Sequence, residues 1–324
     1  MKDSFLYVVM ICILFMAIGP TLIIVNQYIL KSLNFPYPMF LAGLGVLVSG
    51  IVATMAVKLG YVQVQRAESI EGVLWYKRVL PVGLAHACTL AFGNLVYLYL
   101  DVGFIQMLKA FTPVFIMVVS YLSVVDTPTH PVILSVLVIS LGTAMTCSFT
   151  PSLSIVGLLV MALAESSEAV RLVFTQFFLQ KLKFGILEGM YVLCPASAFW
   201  LFLACLYFEV PTMLEKGAFS IILNYPFHFL AASIMGLGVQ FVSYYVIQIT
   251  SSLTMKILSA FRNVALVFVG ILFYNETVTF NEAGGYALSM VGFAGYNMAK
   301  MGYFDPTKLH VSEKVVVDVE AQKQ

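Results

Sequence analysis

The feature that most constrains this chain is a series of apolar runs, each about as long as a helix that crosses a bilayer. Roughly 20 apolar residues in a helix span about 30 Å of hydrocarbon. The sequence predicts ten transmembrane helices, at 5–30, 38–59, 79–99, 103–125, 131–149, 155–180, 187–208, 227–250, 252–274 and 282–303.

The overall composition agrees with a protein that lives in lipid. Hydrophobic residues make up 61% of the chain and charged residues only 10%, against about 25% charged residues in soluble domains. Within lipid, each backbone amide needs a partner in its own segment, and the runs lack the alternation typical of membrane strands. We therefore predict an all-α polytopic membrane protein, and no basic tract suggests a nucleic-acid partner.

The basic residues of the connections predict which way the chain is oriented. An even number of spans puts both termini on one side, and lysine and arginine favour the cytosol. The connections, termini and adjoining span ends on the side of the termini carry eleven such residues, and those on the other side carry two, Lys31 and Lys216. We predict cytosolic termini, a transporter domain in residues 1–304, and a polar cytosolic tail in residues 305–324.

An internal repeat relates the two halves of the chain. Residues 110–129 align without a gap to residues 260–279, a shift of 150, and seven of the twenty positions are identical. The aligned helices are the fourth and the ninth, so the copies cross the membrane in opposite directions. Inverted repeats of this kind are common in secondary transporters, which bind substrate at the interface of the repeats. We predict two inverted five-helix halves, at about 5–149 and 155–303.

Four basic residues lie more than one helical turn inside the predicted spans: Lys109, Arg171, Lys256 and Arg262. A charge at the centre of a bilayer costs at least about 2.5–3.5 kcal/mol, so it normally faces a protein interior or a wet cavity. The two lysines lie nearer the helix ends, where their head groups could instead snorkel to the interface.

Two acidic residues accompany these cations in the sixth span. Glu168 lies three residues before Arg171, so the two can form a structural ion pair on the helix surface. The four basic residues outnumber the two acids, Glu165 and Glu168, by two charges. In a medium of low dielectric this positive excess favours an anionic ligand. Arginine suits phosphate in particular through its planar fork.

Five segments carry a resemblance to a known family. They are NFPYPMFL, GFIQMLKAFTPVF, EAVRLVFTQFFLQK, SSLTMKILSAFRNV and GYNMAK, and they occur in this order over nearly the whole chain. They resemble the triose-phosphate translocator and nucleotide-sugar transporter family, within the drug/metabolite transporter superfamily. The nearest group is the plant-type probable sugar phosphate/phosphate translocators. The resemblance implies ten helices in two inverted halves, and exchange of an anionic sugar derivative for phosphate or a nucleotide monophosphate.

The chain departs from the plastid members at three positions. Those members hold phosphate with a Lys-Arg pair in the ninth helix, where this chain has Arg262 and Asn263. They also carry histidine at the position of Gln106 and tyrosine at that of Val239, whereas Lys109 is retained. With no transit segment before the first span, these differences favour a Golgi or ER protein that carries a nucleotide sugar over a plastid protein.

The residues and the resemblance together predict an antiporter with an anion site and no enzymatic activity, cofactor or metal. Lys109, Arg171 and Arg262 would bind the phosphate or diphosphate, assisted by Lys256. The sugar or base would contact a set of amide side chains: Gln106, Asn263, Gln176 and Gln240. Membrane lipid and a second copy of the chain are the other candidate partners.

Three alternatives remain open at this point. A proton-coupled exporter of a neutral or cationic solute would use Glu165 or Glu168 as its proton site. An intramembrane enzyme would need a nucleophile and base, or paired aspartates, at depth, and a non-transporting scaffold would not need the deep arginines. Dependence of transport on an internal anion would separate the antiporter from the proton-coupled exporter.

Overall fold

The computed structural model describes residues 2–62, 64, 73–96, 99–100, 105, 108–145, 154–261 and 280–301. Every regular element within these ranges is helical. The helices are α1 Lys2–Gln27, α2 Pro38–Lys58, α3 Val73–Arg78, α4 Leu80–Leu95, α5 Thr112–Leu122, α6 His130–Met145, α7 Ile155–Gln176, α8 Ile186–Phe208, α9 Val210–Glu215, α10 Phe219–Asn224, α11 Pro226–Ile249, α12 Ser252–Phe261 and α13 Phe280–Met301. Single π-helical turns, Tyr28–Ser32 and Phe177–Lys181, extend α1 and α7.

Four of the described helical segments are long and apolar enough to cross a membrane. They are Met10–Leu30, Pro38–Lys58, Ile186–Phe208 and Pro226–Ile249. Large apolar side chains point outward from them, as at Met55, Phe199 and Ile234, which are each more than half exposed. Such surfaces suit lipid rather than water, and the chain is an integral membrane protein. Each of the ten predicted spans overlaps at least one described helix, and the count of ten spans stays a prediction.

The chain folds into two compact units. Unit 1 comprises Met1–Leu100 and Ser152–Ser259, and unit 2 comprises Asp101–Pro151 and Ala260–Gln324. Each unit therefore contains one segment from the first half of the chain and one from the second half.

Unit 1 is built from long helices that pack in pairs. Helix α2 packs against α8, α4 packs against both α7 and α8, and α11 packs against both α1 and α2. Small residues allow the closest approaches. A Cβ atom added to Gly45 of α2 would lie 3.4 Å from the Cα atom of Gly236 in α11. One added to Gly83 of α4 would lie 2.5 Å from the carbonyl carbon and oxygen of Ala196 in α8.

Unit 2 has α6 and α13 packed along each other, with α5 beside α6. A Cβ atom added to Gly142 of α6 would lie 2.6 Å from the backbone nitrogen of Ser289. One added to Gly292 of α13 would lie 2.8 Å from the backbone nitrogen of Ile139. The hydroxyl groups of Thr143 and Ser289 are 3.1 Å apart and hydrogen-bonded across the same interface.

A buried carboxylate joins the end of α8 to the start of α2 in unit 1. Glu209 accepts hydrogen bonds from the backbone nitrogens of Met39, at 2.8 Å, and Phe40, at 2.7 Å. These donors belong to the first turn of α2, where backbone N–H groups have no acceptor within the helix itself. Glu209 therefore acts as a remote cap. Burial raises the pKa of its carboxyl group, and the two amide donors partly oppose that rise.

Candidate substrate site

Three charged side chains of unit 1 meet between α7 and α12. Glu168 and Arg171 are three residues apart on α7, so they project from the same face. Lys256 lies on α12 and reaches the same carboxylate. Helix α7 is capped at its start, where the Ser154 hydroxyl oxygen accepts a hydrogen bond from the backbone nitrogen of Gly157 at 3.2 Å.

Glu168 holds both cations at once. Its Oε2 accepts from Arg171 Nε at 2.9 Å, and its Oε1 accepts from Arg171 Nη2 at 2.9 Å. Lys256 Nζ lies 3.0 Å from the same Oε1. The side chains are mostly buried, with 12% of Glu168, 18% of Arg171 and 25% of Lys256 exposed. Two cations against one carboxylate leave this cluster with one net positive charge.

The position of Lys256 decides between the two interpretations of that residue. A snorkelling lysine would direct its head group away from the protein toward the membrane surface. The contact with Glu168 instead directs the ammonium group into unit 1. This contact favours an internal role for Lys256 over snorkelling.

Uncharged polar side chains surround the cluster. His86 of α4 lies near enough to Arg171 and Glu168 to interact electrostatically with both. Tyr244 of α11 is buried, and it also lies near Arg171, with Thr175 and Gln240 as its hydrogen-bonding neighbours. Helices α4, α7, α11 and α12 thus contribute side chains to one polar region inside unit 1.

A chain of glutamines lies at the end of α7, one turn beyond the cations. The Gln176 side-chain oxygen accepts from the backbone nitrogen of Ser252, at 2.9 Å, and from its hydroxyl group, at 2.7 Å. Gln176 Nε2 donates to Gln180 Oε1 at 2.9 Å. Gln180 Nε2 in turn donates to the carbonyl oxygens of Ile247, at 2.7 Å, and Thr250, at 2.8 Å. These bonds fix the junction between α11 and α12 to the end of α7.

Four of the eight residues predicted for the site belong to unit 1. Arg171 and Lys256 share Glu168, Gln240 lies beside Tyr244, and Gln176 is bonded to Ser252 at the start of α12. The side chain of Gln176 is already engaged in hydrogen bonds within the protein, so its role as a sugar contact stays a prediction.

Of the other four predicted residues, the structure describes one, Lys109, which belongs to unit 2. Lys109 lies just before α5, half-buried, and its carbonyl oxygen accepts a hydrogen bond from the Thr112 hydroxyl group. Gln106, Arg262 and Asn263 lie outside the described residues.

The part of the chain that the structure describes contains no set of metal ligands. No group of three or more histidine, cysteine, aspartate or glutamate side chains there is arranged to hold an ion.

Comparison with known families decides the class of protein. The model of the Triose-phosphate Transporter family matches residues 6–297, nearly the whole chain. The chain belongs to the Triose-phosphate Transporter family. The resemblance that the five sequence segments indicated is thereby confirmed.

Two relatives of the chain come from Arabidopsis thaliana, and both are named as probable sugar phosphate/phosphate translocators. One is 28% identical over 298 residues, which cover 89% of this chain and 85% of the relative. The other is 30% identical over 297 residues, which cover 89% of this chain and 86% of the relative. Members of the Triose-phosphate Transporter family are transporters, so the expectation of a non-enzymatic protein is confirmed.

A solved structure has the same fold as this Triose-phosphate Transporter family member. A protein known from a crystal structure superimposes with a TM-score of 0.63 and covers 90% of this chain and 97% of its own. The two sequences are 17% identical, so the likeness concerns the fold alone.

Sequence reasoning missed one central feature of this family member's site, the bond between Glu168 and Lys256. The spacing of Glu168 and Arg171 predicted their pairing, because they lie three residues apart on one helix. Lys256 lies on a separate helix, and no short-range pattern relates it to α7. The sequence offered an acid and a lysine in two separate spans, and these two residues do not specify each other.

Proposed function

We propose that this protein is an antiporter of ten transmembrane helices. It exchanges an anionic sugar derivative, a nucleotide sugar or a sugar phosphate, for inorganic phosphate or a nucleotide monophosphate across an internal membrane. The observation that carries this proposal is the buried cluster of Arg171 and Lys256 around the single carboxylate of Glu168.

The charge and shape of the cluster favour a phosphate group. Its net positive charge lies in unit 1 among largely buried side chains, where weak screening strengthens Coulomb attraction. Arginine presents a planar set of donors that matches phosphate geometry, and lysine adds a mobile point charge. Tyr244, which lies near Arg171, and its neighbour Gln240 offer neutral groups suited to sugar hydroxyls.

The alternative of a proton-coupled exporter is less well supported by this geometry. Such an exporter would need Glu165 or Glu168 to release and rebind protons during transport. Glu168 is held by three hydrogen-bonded contacts to two cations. The names of the two Arabidopsis relatives, sugar phosphate/phosphate translocators, also favour an anionic substrate.

Four more residues complete the proposed site. Lys109 and Arg262 would contribute further positive charge, and Gln106 and Asn263 would contact the sugar or base. Because Asn263 replaces one charge of the plastid pair, we propose a nucleotide sugar or a larger sugar phosphate rather than triose phosphate. We further propose a Golgi or ER membrane, with the termini in the cytosol.

The packing of unit 2 supports the inverted repeat. The shift of 150 residues found in the sequence carries Gly142 onto Gly292 and Ile139 onto Ser289. The close contact of Gly142 with the Ser289 backbone is thus the counterpart of the contact between Gly292 and the Ile139 backbone. The carbonyl groups beside the two glycines match in the same way, at Gly285 and Ser135.

The packing of unit 1 follows the same rule. A shift of five predicted spans exchanges α1 with α7, α2 with α8, and α4 with α11. Under this exchange, the contact of α4 with α7 corresponds to the contact of α11 with α1. The contact of α4 with α8 corresponds to the contact of α11 with α2. The exchange also maps the pair α2 and α8 onto itself. The five principal pairs, α2–α8, α4–α7, α4–α8, α11–α1 and α11–α2, therefore map onto one another, as expected for two halves related by a pseudo-two-fold axis.

The close crossings of unit 1 repeat at nearly the same interval. Gly45 of α2 approaches Gly236 of α11, and Ala196 of α8 approaches Gly83 of α4. Ala196 lies 151 residues after Gly45, and Gly236 lies 153 residues after Gly83. Both differences are close to the 150 of the aligned segments, which supports halves at about 5–149 and 155–303.

Reconstitution into liposomes tests the proposed exchange. Vesicles are preloaded with phosphate, with one of several nucleotide monophosphates, or with buffer, and uptake of labelled phosphate and of nucleotide sugars is measured with and without a proton uncoupler. We expect uptake that requires an internal anion and that the uncoupler does not change. Uptake into vesicles without internal anion, abolished by the uncoupler, would instead favour the proton-coupled exporter.

A matched pair of variants connects that assay to the site. Arg171→Gln removes a buried cation of the cluster, and Lys58→Gln removes an exposed cation at the end of α2. We expect Arg171→Gln to lose exchange and Lys58→Gln to retain it.

A further inference from the structure

We infer that Glu168 is an internal substitute for the substrate anion. In the empty carrier it occupies Arg171 and Lys256, and the incoming phosphate takes Lys256 from it. This inference rests on the proposed anion exchange, and it assigns to Glu168 the control of that exchange.

The two cations are not equivalent partners of Glu168. Arg171 lies on the same helix at a spacing that brings the side chains together, and it uses two nitrogens, Nε and Nη2. The geometry of this pair is therefore set by α7 itself. Lys256 comes from α12 and makes a single contact with Oε1, an atom that Arg171 already engages. Lys256 is the partner that can leave while Glu168 remains satisfied.

A phosphate group can replace Glu168 at Lys256 because it is the stronger anion. It carries about −1.5 to −2 charges near neutral pH and three acceptor oxygens, whereas Glu168 offers one negative charge that it divides between two cations. The ammonium group of lysine lies on a flexible stem with rotatable donors, so it can follow the new partner. A neutral solute offers no such replacement and would leave Lys256 with Glu168.

The contact also links two elements of the carrier. The bond between Lys256 and Glu168 ties α12 to α7 whenever no anion is present. A ligand shifts a conformational equilibrium only by the difference between its affinities for the two states. An anion that binds Lys256 releases this tie, whereas the empty carrier keeps it. The empty carrier keeps the contact between Lys256 and Glu168. This would explain why the carrier must bind a second anion before it can return to the first side of the membrane.

A purely structural role of Glu168 makes the opposite prediction. If Glu168 serves only to orient Arg171 for the substrate, its removal weakens anion binding. If Glu168 competes with the substrate, its removal strengthens anion binding. The sign of the change in affinity therefore separates the two roles.

The decisive variant is Glu168→Gln, which keeps the size of the side chain and removes its charge. We expect the phosphate concentration for half-maximal exchange to fall by at least about fivefold, the low end of typical coupling between linked equilibria. We also expect labelled phosphate to enter vesicles that contain no counter-anion, which the wild type does not allow. A higher half-maximal concentration, or an unchanged need for internal anion, would overturn the inference.

Two control variants separate this effect from a general gain of positive charge. Glu165→Gln removes a buried acid one turn earlier on α7, and Glu215→Gln removes an exposed acid on α9. We expect both to leave the half-maximal concentration of phosphate near that of the wild type. An equal fall in Glu165→Gln would show that any buried negative charge has this effect, and the displacement of Glu168 from Lys256 would then be refuted.

A second variant covers the case in which Glu168→Gln does not fold. Glu168→Asp retains the charge but shortens the side chain, so it cannot reach Arg171 and Lys256 together in the present geometry. We expect it to bind phosphate more tightly than the wild type. Failure of both variants to fold would show an essential structural role and would overturn the inference.

Thermal stabilisation in detergent distinguishes failure of this inference from failure of the proposed function. The probes are inorganic phosphate and glucose 6-phosphate, with glucose as the neutral control. If neither anion stabilises or is exchanged by the wild type, both proposals fail. If the anions stabilise the wild type but stabilise Glu168→Gln less, only the competition by Glu168 fails. Greater stabilisation of Glu168→Gln supports it.

Discussion

Gly142 and Gly292 lie 150 residues apart, and each glycine packs against the backbone of the helix that carries the other. A Cβ atom on Gly142 would lie 2.6 Å from the Ser289 nitrogen, and one on Gly292 would lie 2.8 Å from the Ile139 nitrogen. Backbone atoms cannot turn aside as the end of a side chain can. The two glycines therefore set how closely α6 and α13 approach.

The first prediction is that Gly142→Ala and Gly292→Ala destabilise the protein to similar extents. Overpacking of a close contact typically costs about 1–3 kcal/mol, so both variants should unfold at lower temperature in detergent. Gly93→Ala in α4 is the matched control, because an added Cβ atom meets nothing within 4 Å there. It should be neutral or stabilising, since alanine is favoured over glycine in helices by up to about 1 kcal/mol. A large loss in one glycine variant alone would argue against equivalent contacts.

The sequence predicted this part of the fold only partly. The alignment gave the interval of 150 residues, and that same interval relates Gly142 to Gly292. It did not indicate which helices pack together, because glycines are frequent in membrane helices and a small residue does not specify its partner. The pairing of α6 with α13 depends on contacts between segments distant in the chain, which local patterns do not encode.

The second prediction concerns the charge of Lys256. Lys256→Gln should lower exchange by at least about tenfold, because a hydrogen bond to a charged group is worth about 1.5–3 kcal/mol. Lys256→Arg keeps the charge and should retain more activity than Lys256→Gln. Initial rates of phosphate exchange measure both, and Lys58→Gln in the exposed end of α2 serves as the control. Equal rates for Lys256→Gln and the wild type would exclude Lys256 from the site.

The site shows the same limit of sequence reasoning in a different form. The deep arginine Arg171 and its pairing with Glu168 could be predicted, because helix spacing and the cost of buried charge both act locally. The direction of the Lys256 side chain could not be predicted. At its depth in the span, the long flexible stem can extend either toward the membrane surface or into the protein. Gln176 was predicted as a substrate contact, and its hydrogen bonds to Ser252 reveal a second use for the same amide.

The third prediction separates the two uses of Gln176. Gln176→Ala removes the acceptor of the Ser252 backbone nitrogen at the start of α12, and an unsatisfied buried donor costs about 1–3 kcal/mol. We expect a lower unfolding temperature in detergent. Ser252→Ala, which removes only the hydroxyl contact, should have a smaller effect. Loss of exchange in Gln176→Ala at unchanged stability would instead indicate a substrate contact.

The fourth prediction concerns pH and Glu209. Burial raises the pKa of this carboxyl group, so the folded protein binds a proton here at a pH where the unfolded chain has already released it. The stability contributed by this group is therefore lost as the pH rises from the ordinary carboxyl value to the raised one. It is regained as the pH falls through the same window.

Comparison of the wild type with Glu209→Gln measures this contribution. The difference in unfolding temperature, wild type minus variant, should increase as the pH falls from neutral toward the ordinary carboxyl range. Glu215→Gln, an exposed position on α9, is the control for the loss of one negative charge. A difference that shrinks with falling pH would mean that the amide donors of Met39 and Phe40 outweigh burial.

The last prediction concerns Arg262, the residue proposed to hold the substrate phosphate from the ninth span. The interval of 150 residues places it opposite the uncharged Thr112 in the repeat, so its charge is specific to one half. Arg262→Gln should lower exchange by at least about tenfold, the value of a lost charged hydrogen bond. Stability without ligand should hold or improve, because an uncompensated buried charge is costly.

Ligand-dependent stability decides whether Arg262 binds the anion. Unfolding temperatures of wild type and Arg262→Gln are compared with and without phosphate and a panel of nucleotides, with Lys31→Gln in the first connection as the control. Stabilisation of the wild type that is absent in Arg262→Gln supports binding by this residue. A structural partner of Glu165 would behave differently, because Arg262→Gln would then lose stability without any ligand, and the double change with Glu165→Gln would restore it. Equal stabilisation of both proteins by the nucleotides would exclude Arg262 from the anion site.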